Sequence, residues 1–285
     1  MPNFEIFTDS SCDLSEDMIE KYNLHVMQLE VMVDDKPPVP NNQLDIKKFY
    51  DDLRKGSMAK TSAVAPKTFE DAMRKCLQEG KDILYLGFSS GLSATFNNGR
   101  IAIEELKEEF ADRKLLYTDT LAATVGQGLL VQHAAKLKAT GMSIEDILNK
   151  INVIKTKIIH EVTTDDLMFL KRGGRIDTKT ALIGSVLNFK PIINVDKEGK
   201  LVSTGRVRGR KASIKEMFTR LKNNAALNII NTVFISPCDG IEDAKTLKQM
   251  ITDEFSNAEV FIENIGPVIG AHLGPGGMAL CYLSK

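Results

Sequence analysis

The chain has 285 residues, 43% of them hydrophobic and 26% charged, which is the length and composition of a folded globular protein with one large or two modest domains. Its 37 Lys and Arg residues balance 38 Asp and Glu residues and leave a net charge of −1. This balance excludes a general affinity for nucleic acid or for an anionic membrane surface, so any basic site has to be local.

The cysteines and the N-terminal residues indicate in which part of the cell the protein is found. Cys12, Cys76, Cys238 and Cys281 lie far apart, with no CxxC pair and no histidine at ligand spacing, which argues against a zinc site and a disulfide framework. The opening apolar run, Phe4–Phe7, is too short for a signal peptide, and no apolar run approaches the roughly 20 residues of a membrane helix. We therefore expect a soluble cytoplasmic protein without a metal.

Short apolar runs alternate with segments of helical period in the first half of the chain. Strands are predicted at Phe4–Phe7, Ile83–Phe88 and Leu115–Tyr117, each before a helix, and a further helix is predicted over Ser143–Thr156, with the serine as N-cap. The Pro- and Asn-containing stretch 34–42 is predicted to be a surface loop. Strands that alternate with helices predict a parallel sheet flanked by helices.

The amino-acid composition changes after about residue 160, where a Gly- and Arg-rich stretch follows. A hairpin is predicted next, with Pro191–Val195 and Leu201–Thr204 around a DKEGK turn. We predict two α/β domains, residues 1–160 with a mainly parallel sheet and residues 161–285 with a mixed sheet, although segments can cross over. The remaining predicted elements are helices over 211–224 and 241–255 and strands at 232–236, 258–263 and 278–283.

Four loops rich in hydroxyl groups lie near strand ends or helix starts: Thr8–Ser11, Lys60–Ser62, Ser89–Thr95 and Thr118–Thr120. Ligands of open parallel sheets gather at the carboxyl ends of strands, where helix N-termini present free N–H groups. Hydroxyls and backbone amides at such a place suit a carboxylate or a phosphate. The alternative for any one loop is that its Ser, Thr and Asp residues are N-caps.

Two side chains stand out as ligand candidates. Ser93 is the first, because Gly91 permits close backbone approach and the Ala94 amide lies at the expected helix start. His272 is the second, since it lies in IGPVIGAHLGPGG, whose five glycines and two prolines predict neither a regular helix nor a central strand. A loop histidine bonded to backbone is the alternative for His272, and structural roles are expected for His25, His133 and His160.

Motifs for nucleotide binding are absent from the sequence. No GxGxxG follows the first strand, and GxxxxGK[ST] does not occur. We therefore expect no nucleotide cofactor bound by this chain itself.

Two groups of arginines are spaced by glycine: Arg172 with Arg175, and Arg206 with Arg208 and Arg210. Guanidinium groups suit phosphate or carboxylate oxygens, so these residues could stabilise a phosphoryl group or dock an acidic partner. The alternative is a solvated basic face. Nucleic-acid binding is not indicated, because the basic runs lack interleaved aromatic residues.

Seven motifs in a fixed order carry a family resemblance: TDSSCDLS, KTSAVAP, GFSSGLSATFNN, LKRGGRI, KPII, GRVRGRK and IGPVIGAHLGPG. Across nearly the whole chain they resemble the DegV family, and in particular the fatty-acid-binding subunit of bacterial fatty acid kinase. The resemblance implies that one long-chain fatty acid, such as palmitate, lies between two α/β domains. It also implies that a separate kinase protein uses ATP to phosphorylate the carboxylate to an acyl phosphate. Membrane contact would be at most transient.

The resemblance also implies residue roles. Thr61 and Ser93 would bind the carboxylate, with Ser62, the Ala94 amide and His272 close by. The family pattern usually reads TSQP where this chain has Ala63–Ala65 before Pro66, so the hydroxyls are kept and the chain-length preference is put in doubt.

Arg175 and Arg206 match family positions that face the kinase or stabilise the phosphate. The acyl chain requires an apolar tunnel, because its buried methylenes supply most of the affinity. Candidates for tunnel or core positions are Met168, Phe169, Leu182, Ile183, Val186, Leu187 and Phe189.

An enzyme remains the alternative function. Ser93 as nucleophile and His272 as base would make a serine-dependent esterase or an acyl-phosphate hydrolase. This hypothesis lacks an identifiable carboxylate to orient the histidine, and the one GxSxG sequence, residues 87–91, has Ser89 and not Ser93 at the position of the nucleophile. A DNA-binding regulator has no motif behind it. The main hypothesis is therefore a lipid-binding subunit without catalysis of its own.

Overall fold

The strands of the chain fall into three sheets. The computed structural model describes residues 3–176 and 188–285. In these ranges the strands are β1 (Phe4–Asp9), β2 (Leu24–Met27), β3 (Glu30–Val33), β4 (Val39–Pro40), β5 (Ala59–Ser62), β6 (Asp82–Gly87), β7 (Leu115–Asp119), β8 (Ile158–Thr163), β9 (Phe189–Val195), β10 (Leu201–Arg208), β11 (Thr232–Pro237), β12 (Glu259–Ile262) and β13 (Met278–Leu283).

Helices fill the connections between strands. Short 3-10 helices at Ser10–Cys12, Asn41–Gln43 and Lys155–Lys157 supplement them. The α-helices of the described ranges are α1 (Glu16–Lys21), α2 (Ile46–Arg54), α3 (Pro66–Gln78), α4 (Thr95–Glu109), α5 (Thr124–Ala139), α6 (Ile144–Ile154), α7 (Met168–Arg172), α8 (Arg210–Asn224), α9 (Ile241–Glu254) and α10 (Pro267–Leu273).

The first sheet has the order β2-β1-β6-β7, and all of its neighbouring strands are parallel. All six residues of β1 are buried, as are the last five of β6. Continuous burial of this kind requires cover on both faces of a sheet, which explains why these strands are mostly apolar in the sequence. Glu5, the charged residue within Phe4–Phe7, is paired with Lys81 and Lys138. The predicted parallel sheet flanked by helices is confirmed.

The second sheet has the order β10-β9-β8-β13-β11-β12 and is mixed, since only β11 and β12 pair in parallel. The predicted hairpin is the antiparallel pair β9 and β10. The second strand of the hairpin runs four residues further than predicted, to Arg208, and the predicted strands and helices after residue 210 are confirmed to within two residues at each end. The proposed domain boundary at residue 160 falls inside β8, and the division into domains stays a prediction.

A small antiparallel sheet, β4-β3-β5, corrects two predictions. Lys60–Ser62, predicted as a loop, belongs to β5, and the predicted surface loop 34–42 contains β4. Neither segment has an apolar run, and residues of β5 are alternately exposed and half-buried. Pairing with β3, in which Val31 lies opposite Thr61, makes β5 a strand. Tertiary context here overrides local propensity.

The Gly- and Pro-rich segment around His272 contains a short helix, so the prediction that it cannot be helical was wrong. Pro267 opens α10 at a position where a missing N–H costs nothing. Gly274, with a φ of +79°, ends the helix. Gly270 lies in its interior because Tyr50 of α2 occupies the space where a Cβ would stand. Pro267 and Gly274 thus mark the two ends of a helix, and Gly270 lets the helix pack against Tyr50.

The central helix α5 packs between the parallel and the mixed sheets and is buried around most of its circumference. Its buried polar residue Gln127 donates to Thr8 Oγ1 at 3.0 Å and accepts from the Ser11 hydroxyl at 3.0 Å. A helix buried on all sides carries little amphipathic signal. The first residue of α5, Thr124, reaches the cavity described below.

Gly270→Ala tests how α10 is docked. The new methyl group would overlap the ring of Tyr50, which is fully buried and donates to the Ile265 carbonyl at 2.8 Å. We expect the free energy of unfolding to fall by about 1–3 kcal/mol, measured by denaturant titration. Gly240→Ala is the control, because the nearest atoms lie 3.7 Å from the place that its new methyl group would take. Equal stability of both variants would contradict this packing.

Candidate functional site

A cavity of about 220 Å³ lies between the parallel and the mixed sheets. Residues from both halves of the chain line it. Its polar or charged members are Thr61, Ser62, Ser93, Thr124, His160, Arg175 and His272. Its apolar members are Leu29, Ala63, Phe88, Leu92, Ala94, Ala123, Val162, Leu170, Val195, Leu201, Val268, Ile269, Leu273 and Ala279.

A hydrogen bond joins two of the predicted ligand residues. Thr61 Oγ1, on β5, lies 2.8 Å from His272 Nε2, on α10. The other ring nitrogen, His272 Nδ1, is buried without a partner in the described chain, next to Gly173 at the end of α7. A side chain at position 173 would overlap the ring, so the glycine leaves room for the histidine.

His272 is neutral near physiological pH. Burial, together with the nearby charge of Arg175, lowers its pKa to about 4. A neutral imidazole has one donor and one acceptor nitrogen, and the Thr61 hydroxyl can match either role. The pair can therefore adjust to a ligand that brings its own acceptors.

Ser93 lies in a loop that hydrogen bonds hold to the start of α4 and to the β9-β10 hairpin. Its hydroxyl is 2.9 Å from Thr95 Oγ1 and accepts from the Thr95 amide at 3.2 Å. Ser89 of the same loop donates to the Gly199 carbonyl at the tip of the β9-β10 hairpin, at 2.7 Å. Gly91 does permit a close backbone approach, as predicted, but the approaching backbone belongs to Glu198 and Gly199.

Arg175 connects the Ser93 loop to the surroundings of His272. Its Nε and Nη2 atoms donate to the Leu92 carbonyl at 3.1 and 3.0 Å, and Nη1 donates to the Gly173 carbonyl. The guanidinium is half-buried, and burial lowers its pKa, although arginine stays charged in proteins. A fixed cation thus lines the cavity close to the hydroxyl and imidazole groups.

The other predicted residues differ in placement. Ser62 also lines the cavity, but its hydroxyl donates to Glu30 Oε2 at 3.2 Å. Ala94 is the N-cap residue of α4 and lines the cavity. Arg206 is exposed on β10, above the ring of Phe189 at 5.3 Å, and is not among the described residues that line the cavity.

In two of the four predicted hydroxyl-rich loops, Thr8–Ser11 and Thr118–Thr120, the hydroxyl groups bond other parts of the protein instead of lining the cavity. Thr8 donates to the Leu86 carbonyl at 2.9 Å, and Ser10 accepts from the Leu29 amide at 3.0 Å. Thr120 donates to the Gly87 carbonyl at 2.7 Å. The N-cap alternative holds for Asp9, which caps the 3-10 helix Ser10–Cys12, whereas Thr8 and Thr120 bond carbonyl groups of β6.

Sequence reasoning gave His160 only a structural role, yet it also lines the cavity. The ring is buried, and its Nε2 accepts from the Ala123 amide at 3.3 Å, ahead of α5. His160 and Val162 share one face of β8 because side chains two residues apart point the same way. The alternation of His160 with Ile158 and Val162, which places all three on one face of a strand, was the available signal.

Of the apolar residues predicted for tunnel or core positions, the three that the structure describes do not line the cavity. Met168 is partly exposed, Phe169 packs beneath Arg172 and against Gly274, and Phe189 lies beneath Arg206. The other four, Leu182, Ile183, Val186 and Leu187, lie outside the described residues.

A known protein family matches almost the whole length of the chain. A family model described as "Uncharacterised protein, DegV family" matches residues 3–285. The chain belongs to the DegV family. A DegV domain-containing protein of Clostridium perfringens is 40% identical over 285 residues, which cover 99% of this chain and 98% of that protein.

Solved structures of DegV proteins share the whole fold. A DegV family protein from Thermus thermophilus, described as binding fatty acid, is 26% identical with a TM-score of 0.88 over 99% of this chain and 100% of its own. DegV from Bacillus subtilis, described as a fatty acid binding protein, is 26% identical with a TM-score of 0.85 over 100% of both chains. In the described part of this DegV chain, no helix has the length and apolar character to cross a membrane.

The neutral state of His272 predicts a pH dependence. The unfolded chain takes up a proton on this residue as the pH falls below about 6.5, whereas the folded chain does so only near 4. Over this window the wild type should lose about 2–3 kcal/mol of unfolding free energy relative to His272→Gln. The comparison cancels the opposite contributions of Asp13 and Glu161, whose pKa values burial raises to about 7. Denaturant titrations at several pH values measure it, and parallel curves would contradict it.

Proposed function

We propose that this DegV chain binds one long-chain fatty acid, such as palmitate, with the tail in the apolar cavity and the carboxylate at Thr61, Ser93 and His272. The observation that carries the proposal is the cavity itself, in which a hydroxyl and imidazole cluster lines an otherwise mainly apolar space. The fatty acids reported for the relatives from Thermus thermophilus and Bacillus subtilis support the same ligand class.

A carboxylate would fix the direction of the hydrogen bonds. Because a carboxylate only accepts, the Thr61 hydroxyl has to donate to it, and His272 Nε2–H then donates to Thr61 Oγ1. The Ser93 hydroxyl and the Ala94 amide are further donors on the same side of the cavity. Arg175 supplies positive charge nearby, so the anion is partly compensated.

The tail provides most of the affinity. Each buried methylene contributes about 0.8 kcal/mol, whereas a hydrogen bond to a charged group contributes about 1.5–3 kcal/mol. The polar cluster therefore positions the carboxylate and selects an acid over an alcohol or ester.

The chain would act with a separate ATP-dependent fatty acid kinase in the cytoplasm. The partner would phosphorylate the bound carboxylate, and this subunit would carry the acyl phosphate to lipid metabolism. Arg175 lines the cavity and can stabilise the phosphate, whereas the exposed Arg206 is placed to meet the kinase. This division of roles agrees with a subunit that has no catalysis of its own.

The hydrolase hypothesis gains no support from the geometry. Ser93 pairs with Thr95, and His272 pairs with Thr61, so the nucleophile and the base are not hydrogen-bonded to one another. Among the described residues no carboxylate bonds to His272 Nδ1, so nothing orients the ring as in a triad.

Ser93→Ala tests the carboxylate site. Loss of one hydrogen bond to a buried carboxylate should weaken fatty-acid binding by roughly 10- to 150-fold. Native mass spectrometry of the lipid-stripped protein during titration with palmitate measures the affinity.

Ser90→Ala is the matched control for Ser93→Ala. Ser90 lies in the same loop, is exposed and does not line the cavity, so its loss should leave binding unchanged. Equal affinities for all three proteins would refute the head-group assignment, and an absence of binding by the wild type would refute the proposed function.

Arg206→Ala tests the kinase-facing role. Because Arg206 is exposed and outside the described cavity wall, the variant should keep its fatty acid while its phosphorylation by a fatty acid kinase falls at least about tenfold. Lys245→Ala, on the exposed surface of α9, controls for the loss of a positive charge. A loss of bound fatty acid, or unchanged phosphorylation, would count against this role.

A further inference from the structure

Two polar side chains that the carboxylate site does not use also line the cavity: His160 and Thr124. Both are buried, with 1% and 4% of their surface exposed. Neither His160 Nδ1 nor Thr124 Oγ1 has a hydrogen-bond partner in the described part of the chain. Buried polar atoms without partners reduce stability, so two of them beside one apolar cavity suggest that a ligand supplies the missing bonds.

The proton of His160 has a defined position. Its Nε2 accepts from the Ala123 amide at 3.3 Å, and a neutral ring that accepts at Nε2 carries its proton on Nδ1. Burial lowers the pKa of His160 to about 4, which keeps the ring neutral near physiological pH. His160 therefore offers an unused N–H donor, and it does so beside Thr124, the residue that follows Ala123.

Thr124 has an unusual backbone as well as an unpaired hydroxyl. Its φ is +46°, in the left-handed region that β-branched residues rarely adopt. Strained positions of this kind often belong to ligand sites. The Thr124 hydroxyl lies near Asp13 and lowers the pKa of that carboxyl against the effect of burial, without a hydrogen bond of regular geometry between them. Where the hydroxyl proton points to Asp13, the lone pairs of Thr124 Oγ1 stay available to accept a hydrogen bond from a ligand.

A donor from His160 and an acceptor from Thr124, two residues that line the same cavity, complement an alcohol. An alcohol oxygen can accept from His160 Nδ1–H, and its proton can be donated to Thr124 Oγ1. The neighbouring lining residues Ala123, Val162 and Ala279 have no polar side-chain atoms that could do the same. An unsubstituted acyl chain would leave both groups unpaired.

We propose that His160 and Thr124 form a second polar subsite that recognises a hydroxyl group on the acyl chain, so that the protein prefers a hydroxylated long-chain fatty acid. The inference rests on the proposed fatty-acid binding and specifies the ligand further. Discrimination arises because buried polar groups of a site are left unpaired when the substituent is missing.

The test compares octadecanoic acid with a positional series of hydroxyoctadecanoic acids, using lipid-stripped full-length protein and native mass spectrometry. We expect one hydroxyl position to bind about tenfold more tightly than octadecanoic acid. Thr124→Val should abolish this preference and Thr124→Ser should retain it. Thr163→Val is the matched control, because Thr163 Oγ1 is also buried without a partner but does not line the described cavity.

The outcomes separate the two proposals. If octadecanoic acid binds and no hydroxylated isomer binds better, the subsite is refuted and the fatty-acid function stands. If no acid binds, both proposals fail. A preference that survives in Thr124→Val, or disappears in Thr163→Val, would overturn the assignment to these residues. If Thr124→Val does not fold, the wild-type series, Thr124→Ser and Thr163→Val still decide the question.

Discussion

The guanidinium of Arg175 holds together the parts of the cavity wall on which the proposed carboxylate site depends. It bonds the Leu92 carbonyl, just before Ser93, and the Gly173 carbonyl, beside His272. These bonds join the loop after β6 to the end of α7, where Gly173 packs against His272 of α10. Because three of its five N–H donors bond backbone oxygens, the arginine supplies a fixed charge and not a mobile one, which favours a preorganised anion site.

Two neutral histidines add polar groups to the cavity without adding to the charge of Arg175. Burial holds the pKa of both His160 and His272 near 4, so each ring offers hydrogen bonds to its surroundings without the cost of burying a cation. His272 pairs with Thr61 at the proposed head-group position, and His160 accepts from the backbone ahead of α5. The two rings differ in what they leave unpaired, and this difference motivates separate roles for a carboxylate and for a chain hydroxyl.

Segments with one strong local signal could be predicted from the sequence. The buried runs of β1 and β6, the hairpin of β9 and β10, and the helix that Ser143 caps all have that property. Segments whose conformation depends on a distant partner could not. β5 is a strand because β3 pairs with it, and α10 is a helix because Gly270 fits against Tyr50. Of the candidate site, the sequence indicated Ser93 and His272 by residue type, and the family resemblance added Thr61.

The sequence by itself determined the fold class, the parallel and mixed sheets and the family, because apolar periodicity and ordered motifs are local properties of the chain. Only the tertiary structure decided which hydroxyls face a cavity and which are consumed inside the protein. Thr61 and Thr8 both lie in hydroxyl-rich segments, yet Thr61 meets His272 and Thr8 bonds the Leu86 carbonyl. The same holds for His160, whose place on the cavity wall follows from the pairing of β8 in its sheet and the packing of α5 against it. Hydrogen-bond partners are chosen by long-range packing, and a single sequence does not encode that choice in any local pattern.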